Sequence, residues 1–100
     1  MAPLTDITTA FDGFFAYLKV EAGLSSATLE AYRRDLHLLA GDLAKVGRNM
    51  CNDVEPRDLS EHLRSLHRDR DLQPASIARH LSSIRMFFRW LEANGRIDQN

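Results

Sequence analysis

The stretch from Pro74 to Gly95, PASIARHLSSIRMFFRWLEANG, constrains this chain more than any other. Its apolar residues Ile77, Leu81, Ile84, Phe88 and Leu91 recur at the spacing of one helical face. Pro74 suits a first helical turn, where its missing N–H would have no partner anyway. Asn94-Gly95 supplies a left-handed stop. The spacing predicts a helix over 74–94, with Ser76, Arg79, Ser83, Met86 and Trp90 on the side opposite the stripe. That second face is basic, hydroxylic and large-apolar at once. Arg79, Arg85 and Arg89 meet no acid along it until Glu92. The helix reads as having a core side and a side built to touch something.

The rest of the chain supplies partners for that core side. Thr5 or Asp6 can cap a first helix over 6–22, striped by Ile7, Phe11, Phe14 and Leu18. Gly13 within it costs about 1 kcal/mol relative to Ala, or marks a close helix contact. Ser25 caps a second helix over 25–46, carried by Leu29, Tyr32, Leu36, Leu39 and Leu43. The polar run from Arg48 to Glu55 has Met50 and Val54 as anchors. Pro56 opens a third helix over 56–68, with Leu59, Leu63 and Leu66 inward and Asp58 and Arg68 at the ends that the helix dipole favours. No strand-like alternation or repeat appears. The fold class is all-α: a compact four-helix bundle in a single domain, 1–100, in which Leu36, Leu63, Ile84 and Phe88 are expected to be buried.

The totals exclude more than they select. A net charge of −1 is no argument for nucleic acid at the level of the whole chain. The distribution is more telling: Lys19 stands against four acids through Tyr32, whereas Pro74 to Leu91 has three arginines and no acid. The lone Cys51 allows no internal disulfide, so a reducing, cytoplasmic setting is the default. No apolar run reaches membrane-spanning length, and there is no signal-peptide pattern at the N-terminus.

Few residues offer bond-making chemistry. No Gly-rich phosphate loop and no closely spaced Cys/His pair are present, so no cofactor, metal or small-molecule substrate is expected. His62 and His67 point in different directions on one helix, and Cys51 has no activating base nearby in sequence. A binding surface is the better candidate. Ser25, Ala27, Thr28, Ala31 and Arg34 lie toward the start of the second helix, away from most of its leucines, and Ser76, Arg79 and Ser83 match them on the fourth. Small or hydroxylic residues admit a phosphate backbone closely, and arginine forks reach phosphates or guanine edges. From spacing alone, a simply solvated face remains open beside this reading. So does a protein-docking face centred on Met86 and Trp90.

The motifs themselves resemble a known family. Gly23 to Leu36, GLSSATLEAYRRDL, resembles the GLS-x-x-T-x-x-x-Y-x-x-D-L signature of Xer-type tyrosine recombinases and phage integrases. Leu72 to Phe88, LQPASIARHLSSIRMFF, is similar to their L-S-P-x-S-x-x-R-x-L-S-A-x-R-x-F-Y stretch. Asp53 to Leu59 is similar to the family's third-helix entry, and Gly95 to Asn100 to the run into its interdomain linker. The resemblance implies the N-terminal, core-binding (SAM-like) domain, one arm of a clamp around a recombination half-site, with its second and fourth helices in the major groove. Thr28, Arg34, Ser76, Arg79 and Ser83 then fall where the family meets double-stranded DNA. The implied partners are that DNA and other recombinase subunits, in DNA recombination or integration.

The family's catalytic residues belong to a separate domain beyond the linker, so this chain is expected to be no enzyme. His67 to Arg70 spells the family's H-x-x-R pattern, but it precedes the linker and no tyrosine follows it. Three departures bear on shape. Gln73 and Glu55 replace common capping residues, and Asp71 stands where a glycine usually precedes Leu72.

Overall fold

A computed structural model of the protein describes residues 5–98; the linker-like residues Gln99 and Asn100 lie outside that range. Four helices follow one another: α1 (Ile7–Val20), α2 (Ser26–Lys45), α3 (Pro56–Arg68) and α4 (Pro74–Ala93), with a single 3-10 turn at Cys51–Asp53 before α3. No strand occurs among the described residues. One isolated antiparallel bridge joins Asp6 to Met50.

Local chemistry accounts for most of the boundaries. Asp6 accepts a hydrogen bond from the Thr9 amide at 3.1 Å, and Ser25 accepts from the Thr28 amide at 3.2 Å, so α1 and α2 each have a side-chain cap. Asp58 closes the start of α3 by accepting from the Glu55 amide at 2.8 Å, which offsets the loss of the usual capping residue at position 55. That bond, with the Arg48 guanidinium behind it, holds the Asp58 carboxyl below the usual carboxylate range. Gln73 makes no side-chain cap for α4. The link between α3 and α4 keeps a left-handed residue without its glycine: Asp71 itself adopts φ +51°. An Asp tolerates this region better than most side chains, though at some cost relative to Gly.

The core is built on α1. Phe11, Phe14, Phe15 and Leu18 are buried, with Leu36, Leu39 and Leu43 of α2 and Ile84, Phe87 and Leu91 of α4 around them. Phe87 is fully enclosed, its ring 5.1 Å from Phe11 and 5.2 Å from Phe14. The 49–51 run is pinned beside the start of α1 by backbone bonds from Ile7 N–H to Asn49 O and from Cys51 N–H to Thr5 O. Cys51 is buried there, a deeper anchor than the half-buried Met50 and Val54. Burial pushes its thiol up to about 11.

The azimuth of α4 differs from the one its apolar stripe predicts. The buried residues are His80, Ser83, Ile84, Phe87 and Leu91, whereas Ile77, Leu81 and Phe88 are only half-buried. At 100° per residue the core-facing direction is turned by about 60° from the stripe. The physical reason is that α4 lies between α1–α2 on one side and α3 on the other. The aromatic cluster of α1 takes Phe87, and Phe88 is left beside Leu59 and Leu63 of α3, at the edge of a surface groove. In α3 likewise, His62 and Leu66 are buried, while Leu59 and Leu63 are half-buried.

Met86 and Trp90 are not a free apolar face either. Both pack half-buried against the core. A Cβ on Gly13 would come within 3.0 Å of the Trp90 ring, so the glycine marks a close contact between α1 and α4. Phe14 lies 5.7 Å from the same ring, centroid to centroid.

Candidate nucleic-acid interface

The α2–α4 seam is held by charge. Asp35, midway along α2, is 1% exposed. A carboxylate so enclosed is stable only if paired and hydrogen-bonded. Arg79, in the second turn of α4, donates to it side-on, from Nε to Oδ2 at 2.9 Å and from Nη2 to Oδ1 at 2.8 Å. The hydrogen bond to Asp35 raises the Arg79 guanidinium above its usual range. His80 brings Nε2 to 3.1 Å from Oδ1 on the other side. Ser83 donates to the His80 carbonyl at 2.9 Å, with its hydroxyl 3.4 Å from Asp35 Oδ2.

A second pair lies further along α2, where Arg70 grips Asp42 with two bonds of 2.8 Å. The buried His62 sets Nδ1 2.7 Å from Asp42 Oδ2. Arg70, then His62, hold the Asp42 carboxyl far below the carboxylate range. The rings of His62 and His80 are 6.0 Å apart, and among the described residues neither His62 Nε2 nor His80 Nδ1 has a hydrogen-bond partner. Donation to Asp42 places the single ring proton of His62 on Nδ1, so its Nε2 is a lone pair, and protonating it would bury an N–H with no acceptor. His80 meets Asp35 as a charge contact. Burial lowers both imidazoles below the ordinary histidine range.

The residues singled out from sequence now divide. Ser25 and Ala27 are exposed at the start of α2, and Thr28 is half-buried beside them. Arg34 is exposed, within 3.6 Å of Glu30. Ser76 is half-buried near the start of α4, and the Arg79 side chain is 37% exposed. Ala31 and Ser83 need correction, because neither belongs to a surface. Ala31 is packed at 9% exposure, and Ser83 is fully enclosed as part of the Asp35 cluster. Arg79 meets no acid along its own helix before Glu92, as the sequence reads, but α2 supplies Asp35 across the seam.

Sequence reading missed Asp35, His62 and His80 as interior residues. The available signal was an acid at position 35 on the same helical arc as Tyr32 and Leu39, facing a helix with an unpartnered arginine. Other exposed cations lie elsewhere on the surface: Arg85 and Arg89 of α4 border a groove with Leu59 and Leu63 of α3, and the Arg33 guanidinium of α2 sits 4.5 Å over the Phe15 ring of α1. His67 is exposed, and Arg70 is committed to Asp42, so the H-x-x-R run forms a structural ion pair rather than a convergent site.

Four helices in this order, with both signature stretches meeting at the Asp35–Arg79 pair, match a described domain. Residues 11–95 fit the family model for the phage integrase N-terminal SAM-like domain. The chain belongs to that family.

Individual relatives agree. Over 96 residues the integrase SAM-like domain seen here is 38% identical to tyrosine recombinase XerC of Xanthomonas campestris pv. campestris strain B100, a match covering 95% of this chain and 30% of that protein. It is 40% identical over 92 residues to XerC of Xylella fastidiosa strain M23 and 34% over 89 residues to XerC of Oceanobacillus iheyensis, each covering 89% of this chain. The chain thus spans about 30% of the length of these curated relatives. The crystal structure of the N-terminal domain of a phage integrase/site-specific recombinase from Haloarcula marismortui superposes with a TM-score of 0.83 at 16% identity, covering 96% of this chain and 89% of that one, which shows the shared fold.

Proposed function

We propose that this domain is the DNA-binding arm of a site-specific tyrosine recombinase, laying α2 and α4 against the major groove of a recombination half-site. The observation that carries it is the Asp35–Arg79 bond, which ties the second turn of α4 to the middle of α2 and leaves a cation at the surface between them. Ser25, Ala27, Thr28 and Ser76 provide small or hydroxylic surface for close approach of a backbone. Arg34 provides a phosphate contact, in competition with Glu30. Ala31 and Ser83 act from inside, one by its small size at the packing face of α2 and the other by its hydrogen bonds. The arm supplies affinity and register, while strand cleavage belongs to a catalytic domain of the longer recombinase, acting with partner subunits in the cytoplasm.

The test is a salt titration of binding to a pool of randomised duplexes, followed by sequencing of the retained fraction. Wild type should bind with a log–log salt slope of several units. Arg34→Ala should weaken all sequences alike and reduce the slope by about one. Binding that ignores salt would refute the proposal.

A further inference from the structure

Resting on that DNA-binding reading, we propose that Asp35 is a positioning residue for DNA recognition: it holds the Arg79 guanidinium side-on, so that the opposite, end-on pair of N–H groups is presented outward to two acceptors on the duplex.

A guanidinium has five N–H donors in a rigid plane. Asp35 takes one from Nε and one from Nη2. What remains is both donors of Nη1 and the second donor of Nη2. The outer pair of these forms an intact end-on fork, the geometry that fits two phosphate oxygens or guanine O6 and N7. Among the described residues no other acid forms an ion pair with Arg79. The Arg79 side chain as a whole is 37% exposed, against 1% for Asp35, so the arginine is the solvent-facing member of the pair.

The carboxylate is a suitable post because it is itself immobile. It is 1% exposed and is met by His80 Nε2 at 3.1 Å and by the Ser83 hydroxyl at 3.4 Å. A free arginine loses rotamer freedom when it binds, whereas one already fixed in plane and direction loses little. The buried charge thereby does more than join two helices.

A double-mutant cycle on a labelled duplex from the retained pool, in low salt, separates the possibilities. Wild type, Asp35→Asn, Arg79→Ala and the double variant are compared by fluorescence anisotropy, with circular dichroism confirming the fold of each. Asn offers a donor where Nη2 needs an acceptor, so Asp35→Asn should release the fork. Arg79→Ala should weaken binding about 10-fold. Asp35→Asn should lose several-fold on its own and nothing further in the Arg79→Ala background. Arg79→Lys, which keeps the charge but has no fork, should not restore binding. An equal loss from Asp35→Asn in both backgrounds would make Asp35 merely structural, and no loss from it alone would overturn the proposal outright. If wild type fails to bind duplex at all, it is the DNA-binding reading that falls.

A measurement on the wild type alone decides the matter should Asp35→Asn not fold. The Arg79 Nε–H resonance should be visible and slow to exchange at neutral pH, and should persist in the complex. Its loss on DNA binding would mean that the fork lets go of Asp35 and would overturn the proposal. The retained sequences distinguish the ligand: an enriched guanine lost with Arg79→Ala marks base reading, and a uniform loss marks phosphate.

Discussion

Replacing adjacent phenylalanines tests the azimuth of α4 directly. Phe87 is fully enclosed, and its ring lies against Phe11 at 5.1 Å, Phe14 at 5.2 Å and Phe88 at 5.4 Å. Removing a buried phenylalanine costs about 3–5 kcal/mol. Here the upper part of that range applies, because the cavity would be walled by rings of α1 that are themselves packed against one another. Phe88 is half-buried over Leu59 and Leu63, at a groove open to solvent. Most of a phenylalanine's transfer free energy is still at stake there, roughly 1–2 kcal/mol, but the groove can relax. A 100-residue domain holds about 5–15 kcal/mol in total. Phe87→Ala should thus leave a marginal fold, and Phe88→Ala a comfortable one. Urea melts followed by circular dichroism give the comparison. With a slope of about 1–2 kcal/mol per molar, the midpoint should fall by about 2–4 M for Phe87→Ala and by about 1 M for Phe88→Ala. The apolar stripe read without the tertiary structure gives the opposite order, with Phe88 as the core residue. Equal losses, or a larger loss at Phe88, would refute the packing argument.

Three other outcomes are expected. Because burial lowers His62 and His80 in the fold, the unfolded chain takes up protons first as pH falls below 6.5; stability is therefore full above that pH and drops below it, by about 1.4 kcal/mol per histidine for each pH unit over which the folded rings stay neutral. Thermal melts from pH 7.5 to 5 should show this fall in wild type and a shallower one in His80→Gln. Cys51, buried with its thiol at about 11, should resist iodoacetamide at pH 7.5 in the native state and react on unfolding; fast native labelling, read by mass spectrometry, would contradict its placement. Asp71→Gly should stabilise by about 0.5–1 kcal/mol, seen as a rise in the melting midpoint, because glycine adopts the left-handed φ of +51° without a side-chain penalty.

The amino-acid sequence determined what local interactions decide. Asp6, Ser25, Pro56 and Pro74 mark where helices begin, and apolar recurrence at three and four residues fixes that the segments are helical, since both depend on neighbours within a turn or two. The signature stretches were legible in the same way, being strings of adjacent residues. The azimuth of α4 was decided only in the tertiary structure. Its apolar stripe faces two neighbours, and the aromatic content of α1 settles that Phe87 goes deepest. Gly13 is a weak helix residue by itself; its meaning as the notch for Trp90 exists only once α1 and α4 meet. Arg79 shows the limit most sharply. Along its own helix it has no acid before Glu92, more than three turns away, so it reads as free for a ligand. Its partner is 44 residues away, on the buried side of α2. Periodicity ranks side chains by their hydrophobicity and so assigns Asp35, His80 and Ser83 to the outside. A polar group can nevertheless lie inside when a partner from another helix satisfies it, and that partner is brought near only by the folded chain.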